Sequence, residues 1–218
     1  MKIAVLGATG PSGLQLVQES LERGHEVTAL VRNPDKLSHI DDAKLKVEKV
    51  DIFNEADLNS HFGGCDVVMS CLGTAPSLFG MSTLTFYLDS IKPIIGAMRK
   101  CGNTRLVTMT AVDTIPQNRG PWIFEWIIRP VFLSSVLQSM SVMEDYLQKE
   151  CQDIDFTVVK PPGLTNEPSS GTEVKGAEGQ YIEGTIRRIS RRDVAKFMLD
   201  CIPLKQWVRK LVSIGLPV

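Results

Sequence analysis

The sequence has little of several things that would otherwise direct its reading. Its five cysteines, Cys65, Cys71, Cys101, Cys151 and Cys201, lie far apart and are odd in number. No CxxC pair is present and no cysteine or histidine stands at metal spacing, which excludes a disulfide scaffold, a zinc site and a dithiol redox motif. The three histidines, His25, His39 and His61, fall on separate predicted elements and suggest neither a catalytic dyad nor a metal centre. Neither sign of charge is in excess: 24 lysines and arginines meet 25 aspartates and glutamates. A chain so balanced has no long-range field to draw nucleic acid, an anionic membrane or a polyacidic partner, so its ligand is a small molecule chosen by a pocket. The opening MKIAVLG lacks the basic n-region and apolar run of a signal peptide, and reads as the first strand of a reduced, cytoplasmic protein. Internal repeats and low-complexity tracts are also missing.

What is present is a rhythm. The runs KIAVLG, EVTALVR, LKVEKVD, DVVMSCLG, TRLVTMTA and DFTVVKPPG have the length and apolar content of strands, and helical patterns over 11–23, 55–62, 83–101 and 137–151 separate most of them. This order predicts an α/β fold: a Rossmann-type, doubly wound, mainly parallel sheet of about seven strands flanked by helices. The 218 residues fit a single domain over 1–218, with an apolar insertion near 115–136 and a small hairpin or loop region near 164–189. ISRRDVAKFMLDCI opens a further helix, with Ser190 and Asp193 in the relation of a capping box. KLVSI reads as the last strand.

The first turn carries the strongest motif. Gly7, Thr9, Gly10, Pro11, Ser12 and Gly13 follow a strand and open a helix. Its three glycines stand where a backbone must turn tightly, approach a pyrophosphate and pack helix on strand. The helix N-terminus then offers free N–H groups and positive dipole to phosphate. The next strand ends at Arg32, where a site selective for NAD presents an acid to the ribose 2′-hydroxyl. A guanidinium there suits a 2′-phosphate, with Lys36 adding a second charge, so the cofactor read from these residues is NADPH. Asp51 and Ile52 close the third strand, placed to hold the adenine amino group and pack its ring; Asp51 is placed as well to start the following helix. Leu72, Gly73 and Thr74 close the fourth strand, where backbone can come close to the cofactor.

With GATGPSG, VRNPDKL, VDIFNEADL, CLGT, KPPG and ISRRDVAKFML in this order, the chain resembles the NAD(P)H-binding atypical short-chain dehydrogenase/reductases over nearly its whole length. Within them it is similar to the flavin reductase/biliverdin-IXβ reductase group, with NmrA-like redox sensors as relatives. The resemblance implies NADPH along the carboxyl edge of the sheet and an open pocket over the nicotinamide where flat conjugated acceptors are reduced. Carried onto this chain, it assigns phosphates to Gly7 through Gly13, the 2′-phosphate to Arg32 and Lys36, and adenine to Asp51 and Ile52. Leu72, Gly73 and Thr74 would line the middle of the cofactor; Met109, Thr110, Pro161, Pro162 and Gly163 would flank the nicotinamide. The proline pair also serves as a rigid corner.

The chain departs from the resemblance at the reacting end. Ala111 stands where the reductases carry a serine, and Gly163 where they place a histidine. Tyr146 is followed by Lys149 three residues on, not four, so the tyrosine–lysine pair of alcohol dehydrogenases is absent. Thr110 is the remaining candidate catalytic hydroxyl, or else a strand-end hydroxyl bonded to backbone. Hydride transfer to a flavin, tetrapyrrole or quinone needs little protein help, because the cofactor carries the reactive bond. The leading reading is therefore an NADPH-dependent reductase, and the alternative a non-catalytic NADPH-binding redox sensor. The apolar stretch from Trp122 to Leu133 is too short and too interrupted to span a membrane. It reads as a flap, a protein or membrane-surface contact, or a packed segment. Arg187, Arg188, Arg191 and Arg192 form a basic patch, either solvated or within reach of an acidic group on the substrate.

Overall fold

The computed structural model describes residues 1–74, 82–114 and 134–218. The stretch from Trp122 to Leu133, and with it most of the expected insertion, lies outside these residues. Along the chain run β1 (Lys2–Leu6), α1 (Pro11–Glu22), β2 (Glu26–Val31), β3 (Leu45–Lys49), α2 (Glu55–Phe62), β4 (Val67–Ser70) and α3 (Ser82–Cys101). There follow β5 (Arg105–Met109), α4 (Ser134–Glu150), β6 (Asp155–Lys160), β7 (Gly163–Thr165), β8 (Lys175–Glu178), β9 (Thr185–Ile186), β10 (Arg188–Ser190), α5 (Arg191–Asp200) and β11 (Lys210–Pro217).

The sheet order is β3-β2-β1-β4-β5-β6-β11-β8, with β9 also on β11. Every pairing from β3 to β11 is parallel, so the seven-stranded parallel sheet expected from the rhythm is present, and β8 and β9 are antiparallel additions to its far edge. The central strands β4, β5 and β6 are buried along nearly their whole length because helices cover both of their faces. One face packs on α1 and α5 through Leu16, Val17, Val194 and Met198. The other packs on α2, α3 and α4 through Phe62, Ile94, Met98, Met143 and Leu147. At the near edge β3 carries Lys46 and Lys49 to solvent, charges that discourage pairing with another chain.

The C-terminal third differs from expectation. The polar stretch before the last helix contains β8 and β9, but they do not form a hairpin with each other; each pairs with β11, some thirty residues on. β10 instead pairs in parallel with β7, directly after the Pro161–Pro162 corner. Ser190 caps α5, its Oγ accepting from the Asp193 backbone N at 3.0 Å. The reciprocal half of a capping box is missing, because the Asp193 carboxylate turns away to accept from Ser169 Oγ and from the Ser170 N. All five cysteines are free, and burial pushes the Cys71 and Cys201 thiols up to about 12, which leaves them inert. No helix among the described residues is long and apolar enough to cross a membrane.

Ser190→Ala should remove the cap from α5 and cost about 1 kcal/mol, seen as a lower urea midpoint at unchanged m-value.

Candidate functional site

Parallel pairing puts the carboxyl ends of the strands on one edge, and the register says which residues meet there. Leu6 lies beside Leu30 on one side and Ser70 on the other, Ser70 beside Thr108, and Met109 beside Val159. One residue beyond these pairs stand Gly7, Val31, Cys71 and Lys160. The candidate residues Arg32, Leu72, Thr110 and Pro161 therefore share the edge, with the strand order reversing between β1 and β4 as a dinucleotide crevice requires.

At Gly7 the chain turns with φ +74°, and a Cβ there would sit 2.7 Å from the Cys71 carbonyl. A Cβ on Gly13 would come within 2.1 Å of the Gly7 oxygen, so helix and loop approach as only glycine permits. Gly10 caps α1 with no side chain bonding back, and Pro11 occupies the first turn without an N–H to lose. The amides of that turn are left to an external acceptor. Backbone this close, with uncapped amides beside it, fits a pyrophosphate.

Arg32 and Lys36 are both exposed and have no carboxylate or hydrogen-bond partner among the described residues. Lys36 is held beside the strand end by a tight turn over Pro34–Leu37, started by Asn33 Oδ1 accepting from the Asp35 N at 3.1 Å. Asp51 does not start α2; Asn54 does, accepting from Ala56 and Asp57. Instead Asp51 Oδ1 accepts from the Phe53 N at 3.0 Å, and its own N donates to Asp57 Oδ2 at 2.8 Å. This pins an exposed carboxylate beside the buried Ile52.

Leu72, Gly73 and Thr74 follow β4, and Tyr87 of α3 supports them from beneath: its hydroxyl oxygen takes a hydrogen bond from the Thr74 backbone, and burial raises its pKa. A Cβ on Gly73 would meet the Tyr87 hydroxyl only at 3.7 Å, so packing does not demand glycine there. At Gly163 it comes closer to doing so. The Gly163 N donates to the Arg187 oxygen at 3.1 Å, and a Cβ would lie 3.1 Å from the same oxygen. The β7–β10 pairing occupies the room that a histidine would need.

Thr110 is buried and does not bond to backbone through its hydroxyl; Oγ1 donates to Glu144 Oε1 of α4 at 2.7 Å. The other carboxylate oxygen accepts from Thr114 Oγ1 at 2.8 Å and from Lys160 Nζ at 2.9 Å. Lys160, with no exposed surface, donates also to Thr114 Oγ1 at 2.7 Å and to Gln180 Oε1 at 2.9 Å. Burial lowers the Lys160 pKa, opposed by the Glu144 charge. Five side chains from β5's end, α4, β6 and the segment after β8 thus form one largely buried polar network at the carboxyl ends of β5 and β6. Sequence reasoning found only Thr110 of these. A lysine ending an otherwise apolar strand, VVK, was the available signal.

The remaining candidates lie elsewhere or are engaged locally. Tyr146 is turned toward Lys92 and Cys151, and Lys149 pairs with Asp145, so neither joins the network. Arg191 bonds Asn166 and Arg192 pairs with Glu19 and Glu22; Arg187 lies over the Tyr181 ring. Among the described residues no cluster of histidine, cysteine and carboxylates could hold a metal ion. A groove of about 670 Å³ between α5, β8 and Trp207 shares no residue with the glycine loop or with the buried network.

Comparison with known proteins agrees with this geometry. A family model described as NAD(P)H-binding matches residues 7–203. An uncharacterized chloroplastic protein of Arabidopsis thaliana is 29% identical over 98% of this chain and 76% of its own length. An uncharacterized sugar epimerase of Bacillus subtilis is 26% identical over 94% of this chain and 89% of its own. An oxidoreductase of Aspergillus fumigatus is 27% identical over 78% and 68%. Among solved structures, a short-chain dehydrogenase/reductase of Veillonella parvula in complex with NADP superposes with a TM-score of 0.75 at 18% identity, covering 99% of this chain and 94% of that one.

Gly13→Ala should cost about 3 kcal/mol in urea unfolding and abolish dinucleotide binding measured by fluorescence titration. Gly63→Ala, where a Cβ meets nothing within 4 Å, should stay within about 0.5 kcal/mol of the parent.

Proposed function

Because the chain belongs to the NAD(P)H-binding family, an oxidoreductase-type family with reductases among its members, we propose that it is an NADPH-dependent reductase whose acceptor is a flat conjugated molecule: a flavin, a biliverdin-like tetrapyrrole or a quinone. The observation that carries this reading is the state of the hydroxyl at the reacting end. Thr110 donates its hydrogen to Glu144, so its hydroxyl is not free to give that proton to a substrate. Reactions that need a protein acid or base at the substrate, alcohol oxidation among them, are poorly served by such an edge. An electron-poor conjugated acceptor needs only to be held against the cofactor, which when bound supplies the hydride; water supplies the proton.

Preference for NADPH over NADH rests on Arg32 and Lys36, two exposed cations that form no ion pair among the described residues. A guanidinium facing a 2′-phosphate forms charge-assisted, bidentate bonds that a 2′-hydroxyl cannot match. Gly7 through Gly13 hold the phosphates in this reading, Asp51 and Ile52 the adenine, and Leu72, Gly73 and Thr74 the middle of the cofactor. Met109, Thr110 and Pro161 through Gly163 flank the nicotinamide. The second reading, a redox sensor that binds NADPH without turnover, is favoured by Ala111 and Gly163, which stand where a serine and a histidine would help the reaction.

Air-free NADPH oxidation with riboflavin, flavin mononucleotide, biliverdin and a quinone panel separates the two readings. Turnover with one of them is expected; tight NADPH binding with none of them reduced would sink the reductase and leave the sensor. Arg32→Ala should weaken NADPH binding by about ten- to a hundredfold while changing NADH binding less than about threefold. Equal losses for both would remove the 2′-phosphate assignment.

A further inference from the structure

We propose that the buried Glu144–Lys160 pair fixes the Thr110 hydroxyl as a hydrogen-bond acceptor toward the nicotinamide end of the cofactor, so that Thr110 orients the bound dinucleotide and cannot serve as its proton donor. The inference rests on NADPH lying along this edge and goes beyond it by assigning roles to Glu144 and Lys160, which act on the cofactor through Thr110 as positioning residues.

The argument is an inventory of hydrogens. Lys160 Nζ has three acceptors within hydrogen-bond distance: Thr114 Oγ1 at 2.7 Å, Glu144 Oε2 at 2.9 Å and Gln180 Oε1 at 2.9 Å. Three acceptors are what an ammonium group needs for its three hydrogens. A fully buried ammonium requires an opposite charge at contact, and Glu144, 2% exposed, is the carboxylate in contact with it. Glu144 is therefore ionised and carries no hydrogen of its own. Its Oε1 has the Thr110 hydroxyl at 2.7 Å, a contact that exists as a bond only if Thr110 supplies the hydrogen.

A hydroxyl has one hydrogen and two lone pairs. With the hydrogen held on Glu144, the almost fully buried Thr110 has lone pairs alone left to offer a ligand at the sheet edge. What it recognises there must be a donor: the carboxamide N–H of the nicotinamide or a hydroxyl of the adjoining ribose. Thr110 sits one residue past the Met109–Val159 pair, with its own N bonded to the Val159 oxygen at 3.0 Å, so its backbone is fixed as firmly as its side chain. An acceptor held by two elements at once needs no reorganisation when a ligand arrives, which is how a positioning group gains affinity.

Thr110→Val removes the acceptor and should weaken NADPH binding about tenfold in a fluorescence titration, with Thr110→Ser restoring it to within about twofold. Because no proton is lost from the reaction, the pH profile and solvent isotope effect of turnover at saturating NADPH should keep their wild-type form. Wild-type affinity in Thr110→Val would overturn the proposal, and a hundredfold loss of kcat at unchanged affinity would make Thr110 the donor instead. Since Thr110→Val strands Glu144 Oε1, the paired variant Glu144→Gln with Lys160→Met provides a second test with no buried charge left alone. In this background, where an amide that can donate or accept no longer fixes the hydroxyl as an acceptor, Thr110→Val should cost less than about threefold in NADPH affinity; a tenfold loss as in the parent would overturn the role of the pair. The 3-acetylpyridine analogue of NADP, which lacks the amide N–H, separates the two donors. Wild-type protein binds it more weakly than NADP if the carboxamide is the donor, and equally if a ribose hydroxyl is. These readouts are of binding: a protein that binds NADPH in this way and reduces no acceptor loses the reductase role alone, whereas failure of the wild type to bind NADPH overturns both.

Discussion

A single ammonium group with no solvent around it organises the carboxyl ends of β5 and β6. Removing Lys160 from water costs several kcal/mol, and that cost is offset only where a counter-charge and enough acceptors are already in place. Those acceptors come from separate parts of the chain: Glu144 from α4, Thr114 from the turn after β5, and Gln180 from the segment after β8. The charge therefore specifies where three pieces must stop relative to β6. Asp113, in that same turn, takes the left-handed region with φ 57°, and its N reaches the Gln180 oxygen at 3.4 Å. An apolar replacement of similar volume would hold the fold about as well, which makes orientation the property that the pair contributes.

The two halves of the sheet edge solve different physical problems. On the side of β1 and β2 the chain offers close backbone approach and charge: a glycine at φ +74°, a helix start with no side-chain cap, and two exposed cations that form no ion pair among the described residues. Such groups adapt as a ligand binds and are only lightly held before it does. On the side of β5 and β6 buried side chains hold one another: the three hydrogens of Lys160 and the hydroxyl hydrogen of Thr110 all have acceptors. Tyr87 stands between the two arrangements, holding the backbone of the Leu72–Thr74 turn from a helix otherwise given over to apolar packing.

Much of the fold was legible in the residues because it depends on neighbours in sequence. Apolar runs of strand length, helical periodicities between them and the glycine turn are properties of short windows, and each of the six runs read as strands before the last helix is one. The long-range pairings were not legible. The stretch holding β8 and β9 reads as a hairpin or loop because its polar, glycine-rich text signals turns, and the strand that gives them partners, β11, comes later and could not be recognised as such from their own residues. Asp193 occupied the capping position expected of it, while its carboxylate answered to Ser169 and Ser170 on a different loop.

The same division separates the site residues. The sequence by itself determined the parallel α/β class and the strand–glycine turn–helix at Gly7 to Gly13, since each follows from backbone sterics or from patterns within short windows. Only the tertiary structure decided that Glu144, one more acid on a helix rich in polar residues, faces inward, and that Lys160 ends its strand in the dry interior rather than in water. Ionisable side chains take their role from burial and from the partner they meet, and both are set by residues that are distant in the chain.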